Sequence, residues 1–350
     1  MSDLAQFLPW QRDFASRWLS NRERFAHAWL IHGLPGIGKR QFALAAAGSL
    51  LCESPDRGLA CGHCAACLWL ASGNHPDLRR IRPDALALKE GAADGGEEGE
   101  GGPAAAKKAP SKDIRVDQLR ALGSWFNTAT HRGGWRVAVL YPARAMNVIT
   151  ANALLKVLEE PPEHTVFLMV ADAPDRLLPT LVSRCRRLPL PVPDTAQSLA
   201  WLKEQDVPDA PQWLSAAGGA PLLARQLAQP GDRPCPQWLE DLVTLLADAR
   251  QPDVGPLADQ LEKLPPEVWI DALQRLFLDL MLAGAGAPLR YFPSLSKAIG
   301  RVALRAAPSA LAETGKWLAQ QRAVAGHPLN AKLFVHSAIQ RVALACGPTA

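Results

Sequence analysis

Hydrophobic positions follow different rhythms along the chain. In the first half, short aliphatic runs stand alone at 28–31 (AWLI), 136–140 (RVAVL) and 165–170 (TVFLMV), with 78–81 as a weaker fourth. Aliphatic or β-branched runs of this length, bounded by turn signals, predict strands. Between them the spacing lengthens to the helical period. Residues 40–51 read as one helix. Ala151, Leu154, Leu155 and Leu158 fall at i, i+3, i+4 and i+7 and predict another, with Thr150 as its N-cap and Pro161-Pro162 ending it. Strands alternating with helices predict a parallel α/β sheet up to about residue 190. Beyond a proline-rich stretch at 189–195 only helical periodicity remains. In 268–282, Trp269, Leu273, Leu276, Phe277 and Leu280 share one face, and 309–325 and 331–346 also read as helices. Residues 89–112 (KEGAADGGEEGEGGPAAAKKAPSK) have no period and almost nothing to bury, which predicts a mobile surface loop acting as a spacer. No internal repeat of fixed period is present.

Composition narrows the class. The 350 residues suffice for two or three domains, and 48% hydrophobic against 21% charged residues excludes a wholly disordered chain. No apolar run reaches 18 residues, so no membrane span is expected. The start, MSDLAQFLPWQRDF, lacks the basic opening and apolar run of a signal peptide, and a cytoplasmic location is expected. A formal net charge of +4 permits a nucleic-acid partner without requiring one.

Three groups of residues carry candidate chemistry. The first is Gly33-Leu-Pro-Gly36-Ile-Gly38-Lys39-Arg40, which follows a predicted strand and opens a predicted helix. A loop of this pattern points backbone N–H groups at phosphate oxygens, and its lysine reaches the outer phosphates. The next position is Arg40, where a hydroxyl normally ligates Mg²⁺, and a guanidinium cannot ligate a cation. The strand that should end in acidic residues for hydrolysis is followed by Tyr141-Pro142. Two parts of the hydrolytic apparatus are therefore absent, so the loop reads as inherited and the catalysis as lost. The bland alternative is a strand–helix turn that needs only glycine's flexibility.

The second group is Cys52, Cys61, Cys64 and Cys67, four of seven cysteines within sixteen residues. In a reducing compartment this spacing reads as a structural zinc site with four thiolates and no open position. His63 could replace one ligand but lies between better-spaced cysteines. Four reduced buried thiols are the alternative. The third group is Leu181-Val-Ser183-Arg184-Cys185-Arg186-Arg187. A rigidly placed arginine can stabilise a phosphoryl-transfer transition state on a neighbouring subunit, although a lone arginine in a basic run is usually solvated surface.

Together these residues resemble the bacterial clamp-loader ATPase family of the AAA+ class, and within it the delta-prime members of DNA polymerase III. The resemblance covers essentially the whole chain. It is carried by AHAWLIHGLPGIGK at 26–39, the cysteine module, HPDL at 75–78, ANALLKVLEEPP at 151–162 and LVSRC at 181–185. It implies an AAA+-like P-loop domain over 1–190 with the zinc module at 52–67 and the insertion at 89–112. A small helical lid at 191–230 and an all-α collar at 231–350 would follow. It further implies a non-hydrolysing subunit at one end of an open five-membered ring. There Arg184 would act as a finger on ATP bound by the adjacent motor subunit while the ring loads a sliding clamp onto primed DNA. Gly33, Gly36, Gly38 and Lys39 would hold ATP or ADP, if at all, without cleavage. A residue sensing the γ-phosphate would sit near Ala171-Asp172, and the lid segment Gly218-Gly219-Ala220-Pro221 has proline where a motor subunit has arginine. Acidic Glu159-Glu160 at a helix C-terminus oppose the macrodipole, which suggests that they are kept for a contact. The first competing reading is an active AAA+ clamp-loader ATPase or helicase-like motor, which requires this chain alone to turn over ATP. The second is a zinc-dependent nucleic-acid-binding protein, which requires a basic, aromatic-bearing module where only Arg57, His63 and Trp69 surround the cysteines.

Overall fold

Strands form where aliphatic residues run without interruption. β1 (Ala28–His32), β3 (Arg136–Leu140) and β4 (Thr165–Ala171) are buried along almost their whole length, as expected of strands covered on both faces. The computed structural model describes residues 4–20, 25–91, 109–131, 134–248, 253–325 and 330–347. Its chain divides into two compact units, 1–197 and 198–350.

The first unit holds α1 (Arg12–Leu19), β1, α2 (Lys39–Leu51), α3 (Ala65–Ser72), β2 (Leu78–Ile81), α4 (Asp84–Lys89), α5 (Val116–Phe126), β3, α6 (Val148–Glu159), β4, α7 (Pro179–Ser183) and β5 (Arg186–Pro189). Among the described residues five strands form one parallel sheet, in the order β2-β3-β4-β1-β5, with Ala28 opposite Phe167, Arg136 opposite Thr165 and Trp29 opposite Arg186. The sequence-predicted parallel α/β arrangement is therefore present. The edge strands β2 and β5 expose Arg79, Arg80, Arg186 and Arg187, and such charges discourage pairing with another chain's strand. Because every strand runs the same way, all five carboxyl ends lie along one edge, where ligands of open α/β sheets bind. An aromatic cluster packs α1 and the residues before it onto α2 and β1. Trp18 lies 5.5 Å from Phe42 and 5.1 Å from Trp29 between ring centroids, and Phe7 lies 5.3 Å from Phe42.

One boundary differs from its sequence expectation. The cap of α6 is Asn147, whose side chain accepts the backbone N–H of Thr150 at 2.9 Å. Thr150 lies inside the helix, fully buried, with its hydroxyl on the Ile114 carbonyl at 3.1 Å. Val148 and Ile149 are helical but exposed, so the apolar period that reveals the buried face begins one turn late. The insertion expected at 89–112 lies mostly outside the described residues, which stop at 91 and resume at 109.

The second unit is all helical. α8 (Thr195–Glu204) spans the boundary and is followed by α9 (Ala210–Ala216), α10 (Pro221–Leu227), α11 (Gln237–Asp248), α12 (Gly255–Leu261), α13 (Pro266–Gly284), α14 (Ser296–Ala303), α15 (Pro308–Val324) and α16 (Ala331–Ala345). The apolar face of α13 anticipated from spacing is the centre of its core, with Trp269, Leu273, Leu276, Phe277 and Leu280 all buried. Gly218 adopts φ +65°, and a Cβ there would meet the Tyr291 ring at 2.9 Å, so glycine is required on both counts. Arg275 and Arg290 donate to the carbonyls of Ala216 and Gly218 at 3.1 and 3.0 Å. Asp279 on α13 has no exposure, and its carboxylate accepts the backbone N–H groups of Arg290, Tyr291 and Phe292 at 2.7–3.2 Å. Asp279→Ala leaves those donors without a partner and is expected to cost about 3 kcal/mol, read as a lower midpoint in urea unfolding. An unchanged midpoint would contradict this account. Among the described residues no helix is long and apolar enough to cross a membrane.

Candidate functional site

The loop between β1 and α2 turns on its glycines. Gly36 and Gly38 have φ of +78° and +91°. Gly33 lies so close to the chain beyond β5 that a Cβ would sit 2.9 Å from the Leu190 carbonyl oxygen and from Ile37 Cδ1. Gln11 supports the loop from below, its Nε2 donating to the carbonyls of Ile37 and Gly38 at 3.1 and 3.0 Å, and the Trp10 indole donates to Ile37 at 3.1 Å. Lys39 opens α2 and is almost fully buried. Its Nζ pairs with Asp172 Oδ1 at 2.7 Å and donates to the loop's own Leu34 carbonyl. Burial lowers the Lys39 pKa and the Asp172 carboxylate opposes that shift. Asp172 directly follows β4, and in this structure the residue expected near the γ-phosphate position pairs with the lysine of its own loop.

Next to Lys39 in sequence, Arg40 shares one carboxylate with Tyr141, the residue that follows β3. Glu90 Oε1 accepts from Arg40 at 2.7 Å. Its Oε2 accepts the Tyr141 hydroxyl at 2.9 Å and lies 2.8 Å from Arg82 Nε. Tyr141 is buried, which pushes its pKa up, so it stays a neutral donor. Glu90 was not visible as a site residue, because it stands at the head of a low-complexity run with no period or motif around it. In the structure it follows α4 directly and belongs to the same end of the sheet as the loop.

The four cysteines converge. Cys52 follows the last turn of α2, Cys64 caps α3, and Gly62 takes φ +83° between them. All four sulfurs lie within 4.8 Å of one another, with Cys52–Cys64 at 3.8 Å and Cys61–Cys67 at 4.0 Å. Tetrahedral metal–sulfur bonds of about 2.3 Å place sulfurs about 3.8 Å apart, so the set fits one ion. The amides of Cys61 and Cys64 point at the sulfurs of Cys52 and Cys61, at 3.3 and 3.4 Å. Burial raises Cys64, but backbone donors at Cys67 and Glu53 together with the Cys67 and Cys61 side chains bring its pKa down to about 6, while burial raises Cys52 and Cys67. His63 is exposed and its Nδ1 lies 3.0 Å from the Cys61 carbonyl, so it is not among the converging donors.

Arg184 caps α7, one third exposed, with one terminal nitrogen on the Thr180 carbonyl at 2.9 Å and the other on Glu159. Cys185 beside it is buried against the Leu181 carbonyl, and burial raises its thiol to about 12, which makes it an inert packing residue. β1 and β5 are adjacent and parallel. The glycine loop follows the carboxyl end of β1 and Arg184 precedes the amino end of β5, so the two lie at opposite ends of neighbouring strands.

The family model described as DNA polymerase III, delta subunit, matches residues 14–194, just over half of the chain. The DNA polymerase III subunit delta' of Pseudomonas aeruginosa is 39% identical over 274 residues, covering 77% of this chain and 75% of that protein. The delta' subunit of Escherichia coli K12 is 31% identical over 229 residues, covering 64% and 61%. The gamma/tau subunit of Mycobacterium tuberculosis H37Rv is 32% identical over 206 residues, covering 57% of this chain and 31% of that longer protein. The matched family segment contains the loop, the cysteine centre, Glu159 and Arg184, and the chain belongs to the DNA polymerase III delta' family.

Proposed function

We propose that this chain is a non-hydrolysing clamp-loader subunit that lends Arg184 to ATP bound by a neighbouring gamma/tau-type motor subunit. Its partners are then that motor, a delta subunit and, through the five-membered ring, the sliding clamp and primed DNA in the cytoplasm. Residues 1–190 act as the AAA+-like domain, 191–230 as lid and 231–350 as collar. The four cysteines would hold zinc in a structural role.

The observation that carries the reading is the placement of Arg184 at the opposite end of neighbouring strands from its own phosphate loop. A guanidinium so placed serves a phosphate outside its own loop, and its planar fork suits a γ-phosphate better than lysine would. The lost hydrolysis is supported by the loop itself. Lys39 is engaged with Asp172, Arg40 with Glu90, and the end of β3 offers tyrosine and proline in place of a carboxylate. A second reading, in which ATP or ADP binds at Gly33, Gly36, Gly38 and Lys39 without cleavage, is favoured by the open glycine conformations of the loop.

The purified chain with magnesium and ATP is expected to show no turnover above background. Arg40→Ser alone is expected not to confer it, because a hydroxyl for the metal leaves the water without a base. Brisk hydrolysis by the isolated wild-type chain would overturn the proposal and favour the active-motor alternative.

A further inference from the structure

A carboxylate in the last turn of a helix meets the negative end of the macrodipole and needs compensation from elsewhere. Glu159 is the last residue of α6, and Pro161-Pro162 stop the helix there. Its partner comes from another element: the carboxylate, half exposed, accepts from the outer nitrogen of Arg184, while the other outer nitrogen donates to the Thr180 carbonyl on α7. The base of Arg184 is fixed as well, since Leu181, Val182 and Cys185 around it are buried. The guanidinium is thus held from two directions, by a carbonyl one turn back on its own helix and by a carboxylate on a different helix. These contacts use two of its five N–H groups and leave three for an incoming phosphate.

We propose that Glu159 is a positioning residue for Arg184, an inference that rests on the trans-acting role given above. A long side chain that is already held loses less freedom on reaching a phosphate than one that sweeps solvent, and small misplacements of such a group are expensive in rate. Glu159 itself touches no phosphate. Its contribution appears only through Arg184, and it requires an acceptor oxygen at that place more than a full negative charge.

The test uses the complex reconstituted from this chain and its gamma/tau-type and delta partners, with single-turnover ATP hydrolysis at the site served by Arg184 measured in the presence of primed DNA. For Glu159→Ala we expect the single-turnover rate at that site to be about fivefold lower, with the ATP concentration for half-maximal rate within about twofold, the scale of the orienting energy of an exposed ion pair. Glu159→Gln, whose amide oxygen still accepts from the guanidinium, is expected to keep most of the wild-type single-turnover rate. The double variant Glu159→Ala/Arg184→Ala is expected to be no slower than Arg184→Ala alone. Full activity of Glu159→Ala beside a defective Arg184→Ala overturns the positioning role and leaves the trans-acting reading standing. So does a double variant slower than Arg184→Ala, or a Glu159→Gln as impaired as Glu159→Ala. A fully active Arg184→Ala overturns the trans-acting reading and this assignment with it.

Discussion

Replacing Arg184 by alanine should lower ATP hydrolysis at the neighbouring motor site by about a thousandfold, the usual loss when an arginine finger is withdrawn. The complex as a whole loses only that site's share, so single-turnover measurements resolve the effect better than the steady state. The chain itself stays folded. The side chain is one third exposed, and its pair with a half-exposed Glu159 contributes at most about 1 kcal/mol. Circular dichroism and thermal unfolding should therefore match wild type while turnover falls. Unchanged turnover by the reconstituted variant complex would remove the trans-acting role.

Removing the metal expected at the cysteine centre has the largest effect on stability. Native protein should contain one zinc per chain by elemental analysis. Cys64→Ser should lose it, as should wild type treated with a strong chelator. Structural zinc sites contribute about 10–16 kcal/mol of binding free energy in small peptides. Here the helices on either side, α2 and α3, also have packing of their own, so the expected loss is smaller, about 5 kcal/mol. The direction follows from the geometry: four sulfurs within 4.8 Å repel one another once ionised, and only a cation between them offsets this. Zinc-free native protein would rule the site out and leave four reduced thiols.

The legible parts of the fold are those where one physical effect dominates. β3 and β4 are buried on both faces, so their aliphatic runs are continuous and their limits could be read almost to the residue. β5 escaped notice because it is an edge strand, where Arg186, Arg187 and Pro189 are all exposed and resemble a basic loop. The cap of α6 was misread because exposed Val148 and Ile149 break the period that marks the buried face. In the candidate site, the glycines, Lys39 and the cysteines were legible because their chemistry depends on short local spacing. Glu90 was not, since it meets Arg40 across fifty positions of sequence and stands in a segment of low complexity. Asp172 was visible only as a neighbourhood, because its pairing with Lys39 depends on the order in which the strands lie side by side.

One helix joins two features that have so far been treated apart. α2 begins at Lys39 and ends where Cys52 begins the cysteine module, a rod of thirteen residues and so about 20 Å long. Its middle is packed tightly by Phe42, Ala43, Ala46 and Ala47, and near its far end the Ser49 hydroxyl accepts the Ala60 amide at 3.1 Å. A helix is stiff along its axis, so loosening its sulfur end is expected to be felt at the end that carries the loop lysine. A fluorescent reporter near Lys39 would then register chelation at the opposite tip, and oxidative damage to the thiols would reach the glycine loop without touching it.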